Sequence, residues 1–223
     1  MFTVSDDWRQ TYPGAHFGIL VIKNVCNPPQ HPGLDNAKRE LEADLRALFK
    51  DRSELKLLEP IRAYRQYYKQ FNKTYHVLQQ LDSVIFKSKP IPTVSALVES
   101  MFIEELRNSL LTAGHDLDLV EEPITLDVAV GHEDYTRLNG QNQIVKPKDM
   151  IIRDSKGIIS SLIYGPDQRT RITHSTKNVL FTVYGVPGIA ERPVTQHLQG
   201  IEANVRIFAP LASTDILKVY AAD

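Results

Sequence analysis

The stretch Ile124-Thr125-Leu126-Asp127-Val128-Ala129-Val130, closed by Gly131, carries apolar side chains at every second position. That is the signature of a half-buried β-strand, and it marks where the chain changes character. Upstream of residue 117 the spacing is helical. Leu34 to Phe49 places Leu34, Ala37, Leu41, Leu45 and Leu48 three or four apart, with charges between them. Leu57 to Phe71, His76 to Phe86 and Thr93 to Leu111 repeat that amphipathic pattern. Downstream, Met150-Ile151-Ile152, Ile158 to Tyr164 and Asn178 to Tyr184 read as strands, and Asn139-Gly140 as a hairpin turn. An early β-branched run, Gly18 to Ile22, precedes the helices. A helical pattern from Val194 to Phe208 and a short strand at Leu217 to Tyr220 close the chain. Helices, then strands, then a helix predict an α/β (α+β) protein forming a single domain over residues 1–223.

The 223 residues are 42% hydrophobic and 24% charged, within the range of ordinary globular domains, which excludes a disordered, collagenous or coiled-coil chain. The single cysteine, Cys26, precludes an internal disulfide and any Cys-based zinc site. No apolar run approaches the roughly 20 residues of a membrane span, and Phe17 to Ile22 is too short for the core of a signal peptide. A cytoplasmic setting is expected, with no membrane partner. The formal net charge of −1 argues against DNA and against broad non-specific nucleic-acid binding, so that any RNA contact should be local.

Charge is unevenly placed. Glu99 to Asp134 holds ten acids against one base, and Lys146 to Lys177 seven bases against three acids, which predicts a dipolar molecule. Arg169, Arg171 and Lys177 read either as a phosphate-facing surface or as solvated hairpin tips; arginines one residue apart on a strand would share a face. Tyr64, Tyr67, Tyr68 and Tyr75 could stack nucleic-acid bases, but packing between two helices is the simpler reading.

Phosphate-binding loops, nucleophile elbows, HExxH helices and EF-hands are absent. Two clusters remain. In Gly114-His115-Asp116-Leu117-Asp118 the acids would raise the pKa of the histidine, which could act as a base, orient a water or, with His132, Glu133 and Asp134, join a metal site; alone, the segment reads first as a polar loop. Arg169-Thr170-Arg171-Ile172-Thr173, with Thr176 and Asn178, offers guanidiniums, hydroxyls and an amide to a ribose, phosphate or ester carbonyl, or is a Thr-rich turn. Nothing in the sequence calls for a metal or another cofactor.

The ordered set Leu97-Val98-Glu99, Gly114-His115-Asp116-Leu117-Asp118, Leu138-Asn139-Gly140, Ile151-Ile152-Arg153-Asp154, Ile163-Tyr164-Gly165 and Thr176-Lys177-Asn178-Val179-Leu180-Phe181 resembles the B3/B4 domain of the bacterial phenylalanine–tRNA synthetase β chain over roughly residues 60–190. Arg62-Ala63-Tyr64, before a tyrosine-rich helix, resembles the free-standing proteins built from that domain alone. The resemblance implies a three-layer sandwich of two β-sheets with helices packed on them, and a cleft that hydrolyses mischarged tRNA. It implies a catalytic or water-positioning role for His115 and a close approach of backbone at Gly165. Thr182 stands where the synthetase uses a glutamate to recognise the tyrosine hydroxyl, which weakens the case for tyrosine. The expectation is a trans-acting aminoacyl-tRNA deacylase. Its amino-acid or ribose contacts would come from Thr182, Gly165, Thr173 and Asn178, and its phosphate contacts at the tRNA acceptor end from Arg169, Arg171 and Lys177. The alternatives are a non-catalytic RNA- or amino-acid-binding module and an unrelated small-molecule enzyme.

Overall fold

Strand β2 (His16–Lys23) is buried along six of its eight residues because it is the second of four strands with a helix laid across it. In this computed structural model, which describes residues 2–222, β2 pairs antiparallel with β10 (Val179–Gly185) and β11 (Ser213–Ala221), and β10 also pairs with β3 (Thr112–Asp116). The order of this sheet is β11-β2-β10-β3. Helix α7 (Glu191–Phe208) lies on it, above Gly18 of β2 and Gly185 of β10. A Cβ at Gly18 would come within 2.6 Å of Val194 Cγ1, so the close packing of helix on sheet needs glycine there.

The second sheet has the order β1-β4-β7-β8-β9, formed by β1 (Phe2–Val4), β4 (Ile124–Val128), β7 (Met150–Asp154), β8 (Gly157–Ser161) and β9 (Gly165–Pro166). Both of its faces are covered, which explains why Met150-Ile151-Ile152 is apolar without a break. Leu126, Ile152 and Ile159 join the main core. Ile151 and Ile158 face a smaller cluster with Tyr135 and Val145, supplied by the hairpin β5 (Asp134–Thr136) and β6 (Asn142–Ile144). Asn139 and Gly140 form its turn, with Gly140 at φ +78.

Among the described residues there are six more α-helices, α1 (Asp6–Thr11), α2 (Pro32–Leu48), α3 (Arg52–Leu57), α4 (Glu59–Lys69), α5 (His76–Phe86) and α6 (Ala96–Asn108), and a short 3-10 helix at Leu117–Leu119. The four amphipathic patterns fall on α2, α4, α5 and α6. The last pattern is trimmed at both ends: the Asn27 side chain accepts from Leu97 N–H at the start of α6, and Ser109 turns left-handed at φ +56 behind it.

The tyrosines of α4 are core residues. Tyr64 donates to Tyr184 O (2.5 Å) and accepts from Leu111 N (3.1 Å); Tyr68 donates to Leu162 O (2.8 Å). Tyr67 donates to the Asp149 carboxyl (2.9 Å) and accepts from Met150 N (2.6 Å). One helix face thus reaches main chain belonging to both sheets. Burial of the rings is what stacks Tyr64 on Tyr75 at 4.4 Å, so these side chains are not available to stack on bases.

Two further expectations are corrected. Gly114 to Asp118 is not a polar loop: Thr112 to Asp116 form an edge strand, because register with Val179–Val183 outweighs the poor β-propensity of Gly and Asp. The molecule is not simply dipolar either. The acidic and basic segments lie side by side and pair, Asp127 with Arg153 (2.6 Å) and Glu121 with Lys156 (2.5 Å).

Replacing Tyr64 by Phe leaves the Leu111 N–H and the Tyr184 carbonyl without this partner deep in the core. Urea denaturation should show a loss of about 1–3 kcal/mol. A change under half a kcal/mol would mean that water or a shifted backbone replaces the hydroxyl.

Candidate functional site: a cleft beside strand β3

Strand β3 is the outer strand of its sheet, and an unpaired edge needs cover. The segment Thr170–Arg171 supplies it. Arg171 makes an antiparallel bridge with His115, and Asp116 N donates to Thr170 O at 2.7 Å. Where that cover stops, a cleft of about 440 Å³ opens between α6, β3 and the β8–β9 turn. Val98, Met101 and Phe102 line it from α6, Thr112, Ala113 and Gly114 from β3, and Ser160, Leu162 and Gly165 from the opposite side. Arg171 and Ile172 border it, and His76 stands at the start of α5. Gly165 sits at φ +83 with nothing within 4 Å of a would-be Cβ, so the chain turns tightly there and leaves the space beside it open.

The lining is mostly apolar, with a few polar groups deep inside, as in a small-molecule site. The hydroxyls of Tyr184 and Ser160 are buried and lie close enough to interact with one another, but have no other hydrogen-bond partner; burial holds the Tyr184 phenol protonated. Glu105 is fully buried. Its Oε1 accepts from Thr112 N (2.8 Å), and loss of hydration pushes its pKa up to about 8, so the carboxyl keeps its proton at neutral pH. Partial burial lowers the pKa of His76, which favours its neutral form. Together these groups could enclose an apolar or aromatic side chain and meet a polar atom at its tip.

A second, more open and more polar cleft of about 540 Å³ lies beyond Arg171, between the β5–β6 hairpin and the β7–β8 turn. Arg169, Arg171 and Thr173 all border it, and Arg171 borders both clefts.

The sequence-predicted residues divide as follows. Gly165 and Arg171 reach the apolar cleft; Arg169, Arg171 and Thr173 reach the polar one. His115 lines neither. It is wholly buried, its Nδ1 hydrogen-bonds Thr170 Oγ1 at 2.7 Å, and Thr170 in turn donates to Asp167. That chain places the proton on Nδ1 and leaves Nε2 without a partner. Its acidic neighbours do not raise its pKa. Loss of hydration, helped by nearby Arg169, lowers it to about 3, while Asp116 turns to Thr176 and the Asp118 amide.

Thr182 is also fully buried, with its hydroxyl 3.4 Å from Ala113 O, behind the wall of the cleft. Asn178 is engaged by Asp118 Oδ1 (2.8 Å) and Asn24 N (3.2 Å). Lys177 is exposed, and its carbonyl accepts from Val25 N. Arg169 and Arg171 do not share a strand face, because residues 169 and 170 form a turn. The Arg169 guanidinium is held by both oxygens of Asp154 at 2.8 Å and by Leu119 O, whereas Arg171 is exposed and meets only Gln168 O. Among the described residues, no group of three or more His, Cys, Asp or Glu could hold a metal ion, and no helix is long and apolar enough to cross a membrane.

Sequence reasoning missed Tyr184, Ser160, Glu105 and His76. Signals for three of them were present. Glu105 interrupts the apolar stripe Val98–Met101–Phe102–Leu106, Ser160-Ser161 interrupts an apolar strand, and Tyr184 shares the face of Thr182 two residues on.

A family model described as the B3/4 domain matches residues 61–203, more than half of the chain, and the protein belongs to that family. Among solved structures, the fold is similar to an N-terminal fragment of the phenylalanyl-tRNA synthetase β-subunit from Pyrococcus horikoshii. The TM-score is 0.51 and the identity 13%, over 98% of this chain and 53% of that one. The chain therefore spans about half the length of that fragment. No curated protein matches the sequence.

The buried titrating groups predict a pH profile of stability. His115 and His197 have folded pKa values of about 3 against 6.5 ordinarily, so the unfolded chain binds more protons between those limits and stability falls on acidification. Glu105 (about 8, from 4.5) and Asp149 (about 7, from 3.8) act in the opposite sense and cost stability as pH rises. The two pairs oppose one another at about 1.4 kcal/mol per pH unit per group, which gives a plateau through the overlap of their windows. Above it the carboxyls act alone and stability declines until both are ionised. In Glu105→Gln the last part of that decline, where only Glu105 titrates, should disappear from urea midpoints. Persistence of the full decline would show that Glu105 is ionised in the folded protein at neutral pH.

Proposed function

We propose that this protein binds the aminoacylated end of a tRNA and hydrolyses its ester in trans. The observation that carries the reading is the apolar cleft with the Tyr184 and Ser160 hydroxyls unpaired inside it. A buried hydroxyl without a partner costs about 1–3 kcal/mol, a cost that a ligand atom could offset. Membership of the B3/4 family, and the likeness to part of a phenylalanyl-tRNA synthetase subunit, make an aminoacyl group the fitting ligand.

In this reading the amino-acid side chain enters between α6 and β3 and meets Tyr184, Ser160 and Glu105. These take the role that the sequence suggests for Thr182. Gly165 lets main chain approach the ester, and Arg171, exposed where the two clefts adjoin, meets the ribose or terminal phosphate. Arg169, already bound to Asp154, supports that segment from behind. An aminoacyl ester is labile, so orientation of a water and a donor for the developing oxyanion supply most of the needed catalysis. His76 is the imidazole bordering the cleft. His115 acts as a positioning residue, fixing the segment that carries Arg171 through Thr170.

The burial of His115 favours a second reading, binding without turnover. A panel of correctly and incorrectly charged tRNAs separates the two. Selective hydrolysis, reduced at least tenfold in His76→Ala and Tyr184→Phe, is expected. Tyr184→Phe removes an unpaired hydroxyl, so its stability should be unchanged or higher. Loss of fold in that variant, or no hydrolysis of any charged tRNA by the wild type, would refute the assignment and leave the binding module.

A further inference from the structure

Helix α4 buries one face through its tyrosines. The opposite face carries Arg62, Arg65 and Lys69, and Lys73 follows in the next turn of chain. At about 100° per residue Arg62 and Lys69 fall on one line and Arg65 beside it, with about 10 Å of helix axis between Arg62 and Lys69, while Lys73 lies beyond the helix, after the left-handed residue Asn72 (φ +56). All four are exposed, and none takes part in an ion pair among the described residues. Other cations do meet carboxylates, among them Arg52, Lys87, Arg153, Lys156, Arg169 and Arg206. The only acid from residue 59 to 74 is Glu59, in the first turn of α4.

These side chains line a shallow groove of about 610 Å³, interleaved with the neutral donors Gln66, Asn72 and Thr74. The groove shares no lining residue with the apolar cleft, but the two neighbour one another along the chain at two places. Lys73 Nζ lies 5.3 Å over the ring of Tyr164, the residue before Gly165, and Tyr75 at the end of the groove precedes His76.

We infer that the exposed face of α4 and the turn after it form a docking surface for the sugar-phosphate backbone of an RNA stem, whose end is thereby aimed at the cleft. Charge complementarity names a polyanion; RNA as that polyanion rests on the function proposed above. A membrane fits less well, because none of the large exposed apolar side chains of the molecule lies in the groove. This surface lies apart from Arg169 and Lys177, and it reconciles a net charge of −1 with RNA binding by concentrating unpaired positive charge on one helix face.

The test uses the full chain and a hairpin RNA shaped as an acceptor stem with an unpaired 3′ end, uncharged, titrated at several salt concentrations. The Arg62→Gln/Arg65→Gln/Lys69→Gln/Lys73→Gln variant should bind at least tenfold more weakly. Its slope of log K against log salt should fall by roughly 0.7–0.9 for each phosphate that is no longer neutralised, while its thermal midpoint stays put. A Lys177→Gln variant should bind as the wild type does. The outcome separates this inference from the hydrolytic reading: wild-type hairpin binding that disappears in the quadruple variant supports the surface even if no charged tRNA is hydrolysed. Equal affinity and slope in wild type and variant overturn it, as does anionic-vesicle binding that replaces hairpin binding.

Discussion

Three buried tyrosine hydroxyls hold this architecture together. Burying the rings of Tyr64, Tyr67 and Tyr68 between two sheets brings three polar atoms into an apolar interior, where each must find a partner. They find main chain at Tyr184, Leu111, Met150 and Leu162, and the carboxyl of Asp149. Asp149 is held in turn by Ser161, which donates to its other oxygen, and by main-chain N–H groups. The relative placement of the sheets is therefore fixed by directional bonds to one helix as well as by apolar contact. The cleft, which has one wall on each sheet, inherits that placement.

The same helix separates structure from recognition by its two faces. Its inner face takes up the hydrogen-bonding capacity of the core, and its outer face, with the turn that follows, leaves four cations without an ion pair among the described residues. Four cations without an ion pair, in a stretch from residue 59 to 74 whose only acid is Glu59, give this face a local positive charge that the net charge of the chain conceals. The cleft follows a similar logic. Most buried polar groups here are bonded, as protein interiors require; Trp8 Nε1, His115 Nε2 and the hydroxyls of Ser160 and Tyr184 are among the exceptions, and the last two belong to residues that line the cleft.

The histidine in Gly114-His115-Asp116 shows why a motif can be seen and its chemistry misread. Residue type and flanking acids suggested a solvated base with a raised pKa. Burial reverses the direction, since the cost of placing a charge away from water exceeds the attraction of carboxylates that have turned to other partners. Thr182 is buried behind the wall of the cleft, whereas Tyr184, two residues on and on the same face of the strand, lines it. Arg169 and Arg171 look equivalent in the sequence, but Asp154 claims one and leaves the other exposed.

The sequence by itself determined the amphipathic helices, the main strands, the turn at Asn139-Gly140 and the burial of the tyrosines, because each follows from the period and chemistry of neighbouring residues. It also carried the ordered pattern of the B3/4 family. Strand β3, the cover laid over its edge, the pairing of the acidic segment with the basic one and the residues lining the cleft were decided only in the folded chain. Each joins positions distant in sequence: β3 to β10, Glu121 to Lys156, Glu105 to Tyr184. Periodicity records which side of an element is apolar, but it holds no information about which distant element will meet that side. The solvation and partners that set the chemistry of a buried group are fixed by that meeting.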